Sequence, residues 1–106
     1  MFAIVRKFTL RRGAAPEIIR RVKESFVPLI RELPGFRGYY LFGAGRDTVV
    51  SIRLFDSADE ALASNEVAEN WMRNNVLEFT RGLPDAMAGE VFVAETVEQP
   101  PAEPET

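Results

Sequence analysis

Two kinds of hydrophobic periodicity follow one another along this chain, and their order limits the folds that it can adopt. A period of two predicts a strand at residues 2–9, where Phe2, Ile4 and Phe8 share one side and Ala3 and Val5 the other. Two further stretches of this kind, FRGYYLFG and TVVSIRLF, are separated by AGRD, which predicts a hairpin. The last such stretch, EVFVAETV at residues 90–97, predicts the final strand.

Apolar residues at steps of three and four between these strands predict two helices. The first begins near Pro16, which suits a first helical turn, whereas Pro28 predicts a kink or a weak last turn before LPGF. The second begins at a capping box, in which Ser57 stands three residues before Glu60, and should extend to about Phe79. Its apolar stripe comprises Ala58, Ala61, Leu62, Asn65, Ala68, Met72, Val76 and Phe79.

The order strand, helix, strand, strand, helix, strand is typical of the ferredoxin-like βαββαβ class. We therefore predict a single α+β domain over residues 1–97, with an antiparallel four-stranded sheet. Right-handed crossovers place both helices on one face of that sheet. The remaining residues 98–106, EQPPAEPET, are acidic and rich in proline, which predicts a disordered tail.

Apolar residues on both sides of the predicted strands indicate that both faces of the sheet are covered. In the third strand, for example, Val49 and Phe55 oppose Val50, Ile52 and Leu54. Only two helices are available, and they cover one face. The simplest cover for the other face is the same face of a second copy, so the sequence predicts a homodimer that packs sheet on sheet.

Cysteine and histidine are both absent from the sequence. Their absence excludes disulfides, thiol nucleophiles and histidine-ligated haem, and it disfavours tight zinc or copper sites. We therefore predict no metal site and no cofactor. Any general base must be a carboxylate, a lysine, a tyrosine or the substrate itself.

Charge and hydropathy limit the partners of the chain. Residues 1–55 carry 11 Lys and Arg against 4 Asp and Glu, whereas residues 56–106 carry 2 against 12. The basic residues are scattered singly, so packing of the two halves explains this division more simply than nucleic-acid binding does. No apolar run approaches the roughly 20 residues that span a bilayer, and MFAIVRKFTL lacks the features of a leader. We predict a cytoplasmic protein that binds neither nucleic acid nor membrane.

Three stretches resemble the antibiotic biosynthesis monooxygenase-like (ABM) domains of the dimeric α/β barrel superfamily. They are LPGFRGYYLF, the passage from the third strand into FDSADEALAS, and GEVFVAE, and the resemblance extends over residues 2–96. It implies a dimeric α/β barrel with a pocket between the helices and the sheet of each protomer. Some members oxidise aromatic substrates with molecular oxygen and no cofactor, because the acidic carbon of the substrate supplies the electrons. Others degrade haem, isomerise small metabolites or have no known activity.

The site residues of these relatives transfer to this chain only in part. In the cofactor-free oxygenases that this chain resembles, the third strand has an asparagine and, four positions later, a tryptophan. In this chain the corresponding positions look like Ser51 and Phe55. The haem degraders have an asparagine where Arg6 stands and a helical histidine that this chain lacks. Their tryptophan corresponds more nearly to Asn65 than to Trp71. Haem degradation is therefore not predicted.

The second helix supplies two candidates for a ligand site. Asn65 lies on the apolar stripe, where a buried amide needs partners; it either bonds to the backbone or faces a wet pocket that accepts a ligand carbonyl. Trp71, the only tryptophan, either packs in the core or at the dimer rim, or borders a cavity. Phe26, on the stripe of the first helix, is a further candidate for the pocket wall.

The strands supply the other candidates. Tyr39 and Tyr40 point to opposite faces, and parity groups Tyr40 with Phe36 and Phe42, although the sequence does not say which face is inward. Arg53, like Arg6, interrupts an apolar strand face. Such an arginine either binds an anionic or enolate oxygen, or forms an ion pair with Glu90 or Glu95 or across the dimer. The full candidate set is Trp71, Asn65, Tyr40, Ser51, Phe55, Arg53 and Phe26.

Two hypotheses for the function follow. The first is a cofactor-independent monooxygenase that acts on a small aromatic or apolar substrate. The alternative is a non-catalytic homodimer that binds a small hydrophobic ligand or has a structural role.

Overall fold

The computed structural model describes residues 1–97; the predicted acidic tail, residues 98–106, lies outside them. The strands are β1 (Phe2–Thr9), β2 (Phe36–Gly43), β3 (Thr48–Phe55) and β4 (Asp85–Glu90). They form one antiparallel sheet in the order β2-β3-β1-β4. The helical regions follow β1 and β3, so the predicted α+β, ferredoxin-like arrangement is confirmed.

The first helical region consists of α1 (Ala15–Arg21), a π-helical turn (Val22–Phe26) and α2 (Val27–Ile30). Pro28 explains this irregularity. If the preceding turn were α-helical, the proline ring would collide with a backbone carbonyl of that turn, and proline has no N–H to donate. The wider turn avoids that collision, and the N–H of Val27 donates five residues back to the carbonyl of Val22. The predicted disturbance is therefore a π turn that precedes the proline.

The second helix, α3 (Ala58–Asn75), begins at the predicted cap: the N–H of Glu60 donates to Ser57 Oγ at 3.2 Å. A short 3₁₀ turn, Leu77–Phe79, continues it. The face that α3 buries consists of Ala61, Ser64, Ala68 and Trp71. None of the helices in residues 1–97 combines the length and apolarity needed to cross a bilayer.

The last strand lies earlier than the sequence predicted. It comprises Asp85–Glu90, whereas residues 91–97 form no strand. The register explains the shift, since β4 pairs with β1 from Lys7 opposite Asp85 to Phe2 opposite Glu90. Next to this pair, the carbonyl of Met1 accepts the N–H of Val91 at 2.8 Å. Among the described residues, none pairs as a strand with residues 91–97.

The sheet has an inner face covered by the helices and an outer face that is partly open to solvent. The inner face carries Ile4, Arg6 and Phe8 of β1, all buried. On the outer face, an apolar group comprises Val5, Tyr40, Phe42, Ile52, Leu54 and Met87, of which none is buried. Within residues 1–97, this apolar face has no cover.

Candidate functional site

A cavity of about 40 Å³ lies between the inner face of the sheet and the helices. This is room for about three water molecules. Most of its wall is apolar, with Phe26 from the first helical region, Trp71 and Met72 from α3, and Leu41 and Val49 from the hairpin. Its polar lining comes from Arg6, Ser51 and Arg53 together with Tyr39.

Strand register brings the polar residues of the cavity together. Arg6 pairs across β1 and β3 with Ser51, and Arg53 pairs across β3 and β2 with Tyr39. Partners in an antiparallel ladder share a face, so all four side chains point towards the helices. Arg6, Ser51 and Arg53 are buried and Tyr39 is partly buried.

Both buried arginines converge on one amide oxygen of α3. Asn65 Oδ1 accepts a hydrogen bond from Arg53 Nη2 at 3.0 Å and another from Arg6 Nη2 at 3.3 Å. Arg53 Nη1 also donates to Ser64 Oγ, which in turn donates to the backbone carbonyl of Ala61 at 2.6 Å. Asn65 thus bonds to side chains of the sheet, and its amide orients two cations.

The charge of this cluster is poorly balanced. Arg6 Nη2 lies 3.5 Å from Glu69 Oε2, a long contact to a half-exposed carboxylate. Burial, and next the neighbouring charge of Arg6, lower the pKa of Arg53 to about 10, so its guanidinium is still a cation at neutral pH. The predicted alternative of an ion pair with Glu90 is not found, because Glu90 contacts the N-terminal ammonium instead.

Tyr39 is a neutral hydrogen-bonding group in this site. Burial raises the pKa of its phenol to about 12, although the Arg53 charge and a hydrogen bond with Ser51 act in the opposite direction. At neutral pH the phenol is therefore protonated. It can donate a hydrogen bond to a ligand oxygen, but it is not a general base.

Trp71 both packs and borders the cavity. Its ring lies 4.8 Å from that of Phe26, centroid to centroid, and its Nε1–H donates to Ser25 Oγ at 2.7 Å. The residue is 7% exposed. These contacts fix the indole plane against the first helical region and leave another part of the ring in the cavity wall.

Replacing Trp71 with phenylalanine is expected to lower the free energy of unfolding by about 1–2 kcal/mol, through the lost hydrogen bond to Ser25 and the smaller ring. Urea denaturation followed by circular dichroism measures this change. The variant Ser25→Ala keeps the ring but leaves the indole N–H without its acceptor, so it measures the hydrogen bond separately. A Trp71→Phe variant as stable as the wild type would contradict a packing role for the indole.

Four of the predicted site residues lie in the cavity wall: Trp71, Phe26, Ser51 and Arg53. Asn65 does not line the cavity, but it bonds to both arginines. Phe55 packs in a separate core cluster with Ile4 and Ala61. The structure therefore brings five of the seven candidates to one region.

Tyr40 lies on the outer face and is 61% exposed, whereas Tyr39 lines the cavity. The parity that grouped Tyr40 with Phe36 is interrupted, because a β-bulge shifts the register of β2 between Phe36 and Gly38. Phe36 consequently packs against the core together with Tyr39. An extra residue at a bulge reverses the face of every residue that follows it.

Sequence reasoning also missed Ser64, the hydroxyl that receives Arg53. The signal was present in the spacing of Ala61, Ser64, Ala68 and Trp71, which follow one another at three, four and three residues. The predicted stripe instead contained Leu62, which is half exposed. Because small residues let a helix approach a sheet closely, their spacing marks the buried face better than the large residues do here.

Comparison with known proteins places this geometry in a family. The family model described as antibiotic biosynthesis monooxygenase matches residues 1–69, which extend from β1 into α3. A search of curated proteins returns no match.

Solved structures share the fold at low sequence identity. A Nitrosomonas europaea protein of unknown function is 15% identical with a TM-score of 0.77, over 92% of this chain and 95% of that one. A Streptomyces coelicolor monooxygenase, solved with the ligand nanaomycin D, is 20% identical with a TM-score of 0.71, over 92% of both chains. A NIPSNAP domain protein from Burkholderia xenovorans is 14% identical with a TM-score of 0.65, over 90% of this chain and all of that one. With the family match over most of its length, this chain belongs to the antibiotic biosynthesis monooxygenase family.

Proposed function

We propose that this domain is a cofactor-independent monooxygenase for a small aromatic or apolar substrate that has an acidic carbon. The observation that carries the proposal is the cavity, which has aromatic and aliphatic walls and a cationic lining in one place. Apolar walls suit the body of such a substrate, and the cations suit the oxygen anion that forms when its carbon loses a proton. The family match and the ligand-bound monooxygenase of the same fold support the same activity.

The chemistry balances without an added reductant. A substrate methylene and one molecule of oxygen give a carbonyl and one molecule of water, so the substrate supplies all the electrons that oxygen accepts. The first step is transfer of a proton from the carbon to solvent water, which leaves an enolate. The guanidinium of Arg53 stabilises that negative charge, and the neutral phenol of Tyr39 can donate a hydrogen bond to the same oxygen. Stabilising the enolate makes the carbon more acidic, so a strong protein base is not required.

The positions of Ser51 and Phe55 look like those that hold asparagine and tryptophan in the family's cofactor-free oxygenases. Ser51 does line the cavity, but Phe55 packs elsewhere in the core. The oxyanion-binding role therefore falls to Arg53, which lies between these two positions on β3 and points inward. This substitution of a cation for an amide favours substrates that become more negative during the reaction.

Cavity size limits the substrate. At about 40 Å³ the space holds only a few heavy atoms, whereas ligand pockets of globular proteins commonly measure 300–1,000 Å³. A single ring requires wall side chains to move, and the unbranched Met72 is the most adaptable of them. We therefore propose one-ring or two-ring substrates.

Oxygen consumption tests the proposal. The purified chain is incubated in an oxygen-electrode cell with a size series of acidic-carbon compounds: cyclohexane-1,3-dione, 2-tetralone and a tricyclic anthrone. We expect oxygen uptake with one of the smaller compounds, without added metal, flavin or reductant, and product with one new oxygen atom by mass spectrometry. Binding of these compounds without any oxygen uptake would instead support the non-catalytic ligand-binding alternative.

We further propose that the functional unit is a homodimer formed through the outer face. The apolar group on that face contains Phe42 and Met87, which are exposed, and Ile52 at its centre. Residues 91–97 expose further apolar side chains, since Phe92 is 91% exposed and Val93 nearly as much. An apolar surface of this kind in an isolated protomer is typical of a protein interface, and a second copy offers the matching surface.

Replacing Ile52 with aspartate is expected to weaken the dimer at least about tenfold, because a buried, unpaired carboxylate is costly at an apolar interface. Sedimentation velocity across a concentration series measures the effect. Leu62→Asp is the matched control, since Leu62 is an exposed apolar residue of α3 and lies on no strand. A wild-type chain that sediments as a monomer at all micromolar concentrations would refute the dimer.

A further inference from the structure

The strongest unexplained feature of the cavity is its uncompensated positive charge. Among the described residues that line it, the only charged ones are Arg6 and Arg53. Both guanidiniums reach the same amide oxygen, so they lie close together in a buried place. Their nearby carboxylate, Glu69, is half exposed and contacts Arg6 only at 3.5 Å. Two buried cations with one weak counter-charge are costly unless another anion joins them.

Arg6 has unused hydrogen-bonding capacity at this place. Its side chain is nine-tenths buried, and its Nε has no hydrogen-bond partner among the described residues. Nη2 of the same guanidinium makes only the long contacts of 3.3 and 3.5 Å. Nε and Nη2 form one edge of the guanidinium, and such an edge matches the two oxygens of a carboxylate. A buried donor that lacks a partner usually indicates a missing ligand or ion.

We propose that Arg6 and Arg53 form a binding site for a planar organic anion, a carboxylate or a preformed enolate, so that the substrate of this domain enters already charged. The proposal deepens the proposed function, on which it rests for placing the substrate in this cavity. Two features limit the anion. The cavity volume matches the anionic group alone, three or four heavy atoms, so the apolar body attached to it reaches the aromatic wall of Phe26 and Trp71 only when a wall side chain such as Met72 moves.

Asn65 and Glu69 have defined parts in this site. Asn65 is a positioning residue, because its neutral oxygen aligns both guanidiniums without cancelling their charge. Glu69 competes with the ligand for Arg6, and its exposure lets it turn towards solvent when the anion binds. Removing the Glu69 charge should therefore tighten binding, whereas adding a charge at Asn65 should abolish it.

Direct binding measurements test the proposal. Trp71 is the only tryptophan and lies in the cavity wall, so its fluorescence reports binding, with calorimetry as a second readout. Benzoate represents carboxylates, and cyclohexane-1,3-dione, which is ionised at neutral pH, represents enolates. Their neutral analogues are benzamide and cyclohexanone. We expect at least one anion to bind about tenfold or more tightly than its neutral analogue, and the better anion identifies the class of ligand.

Variants assign that binding to the two arginines. Arg53→Met, Arg6→Met and Asn65→Asp should each weaken anion binding at least about tenfold, the loss expected for one charge-assisted contact. Glu69→Gln should strengthen it, and Arg46→Gln, an exposed cation of the hairpin, should leave it unchanged. Aspartate has nearly the same shape as asparagine. Asn65→Asp therefore tests anion binding by the two arginines even where an arginine variant fails to fold.

The outcomes separate this proposal from the oxygenase. Equal affinity for an anion and its neutral analogue, or unchanged anion binding in Asn65→Asp, would overturn the anion site. Anion binding without oxygen uptake would support the site and reject the oxygenase. If a neutral compound causes oxygen uptake, and this uptake persists in Arg53→Met, the oxygenase would be supported and the anion site rejected.

Discussion

Replacing Phe55 with alanine is expected to lower the free energy of unfolding by about 3–5 kcal/mol. Phe55 is fully buried at the end of β3, and its ring meets that of Phe36 edge to face with centroids 5.9 Å apart. Ile4 and Ala61 close the same cluster from β1 and α3. Neighbours fixed by strand pairing and by a helix cannot collapse into the space that the ring leaves, so the full cost of a cavity applies.

Urea denaturation of Phe55→Ala, followed by circular dichroism, measures this loss. Phe55→Leu fills most of the same volume and should cost much less, and Leu62→Ala, at a half-exposed position of α3, should cost under about 1 kcal/mol. Anion affinity measured under folding conditions should not change in Phe55→Leu, because Phe55 does not line the cavity. A large change in affinity with little change in stability would place Phe55 in the ligand site after all.

Local sequence rules predicted most of the architecture. The hairpin between β2 and β3 and the cap at Ser57 depend on residues within a few positions of each other, and both occur as predicted. The effect of Pro28 was also local, although its form, a π turn, was not predicted. The position of β4 was wrong because strand pairing is a long-range property. Residues 90–97 have the stronger strand pattern, but β1 pairs with Asp85–Glu90.

The candidate site was predictable in composition and not in geometry. Arginines at positions 6 and 53 interrupt apolar strands, and that pattern alone marked them for a charged role. Their meeting point, Asn65, is 59 residues from Arg6 along the chain, and no sequence periodicity relates the two. The choice between Tyr39 and Tyr40 depended on a bulge in β2 that leaves no clear signal in the sequence. Burial and charge balance, which define the site chemically, appear only when the elements pack.

Replacing Asn65 with aspartate should stabilise the fold at neutral pH by about 1–4 kcal/mol. Cations within hydrogen-bonding distance lower the pKa of a carboxyl group by about 1–3 units, and each unit corresponds to about 1.4 kcal/mol of stability. The usual cost of burying an ion pair is reduced here, because Arg6 and Arg53 are already buried in the wild type. The new carboxylate would occupy the place of an amide oxygen that accepts from both. The variant would thus carry within the chain the anion that we propose as the ligand.

The pH dependence of this gain has a definite sign. Beside two arginines, the aspartate is expected to have a lower pKa in the folded state than the ordinary value of about 3.9 that it has when unfolded. Its stabilisation is therefore complete above about pH 5 and is lost as the pH falls through the folded pKa. The charged groups that face this position are Arg6 from β1, Arg53 from β3 and Glu69 from α3. Tyr39 from β2 is neutral throughout this range.

Thermal unfolding of Asn65→Asp and wild type between pH 2.5 and 8 measures the difference. Asn70→Asp is the matched control. The side-chain oxygen of Asn70 also accepts a hydrogen bond from an arginine, Arg73 of α3, at 3.3 Å, but this pair is exposed to solvent. The gain in stability of this variant should stay below about 0.5 kcal/mol. Added benzoate should stabilise the wild type and leave Asn65→Asp unaffected, because the carboxylate already neutralises the cations. A variant less stable than wild type at pH 7 would mean that Arg6 and Arg53 are already compensated, and the physical basis for an anionic ligand would be lost.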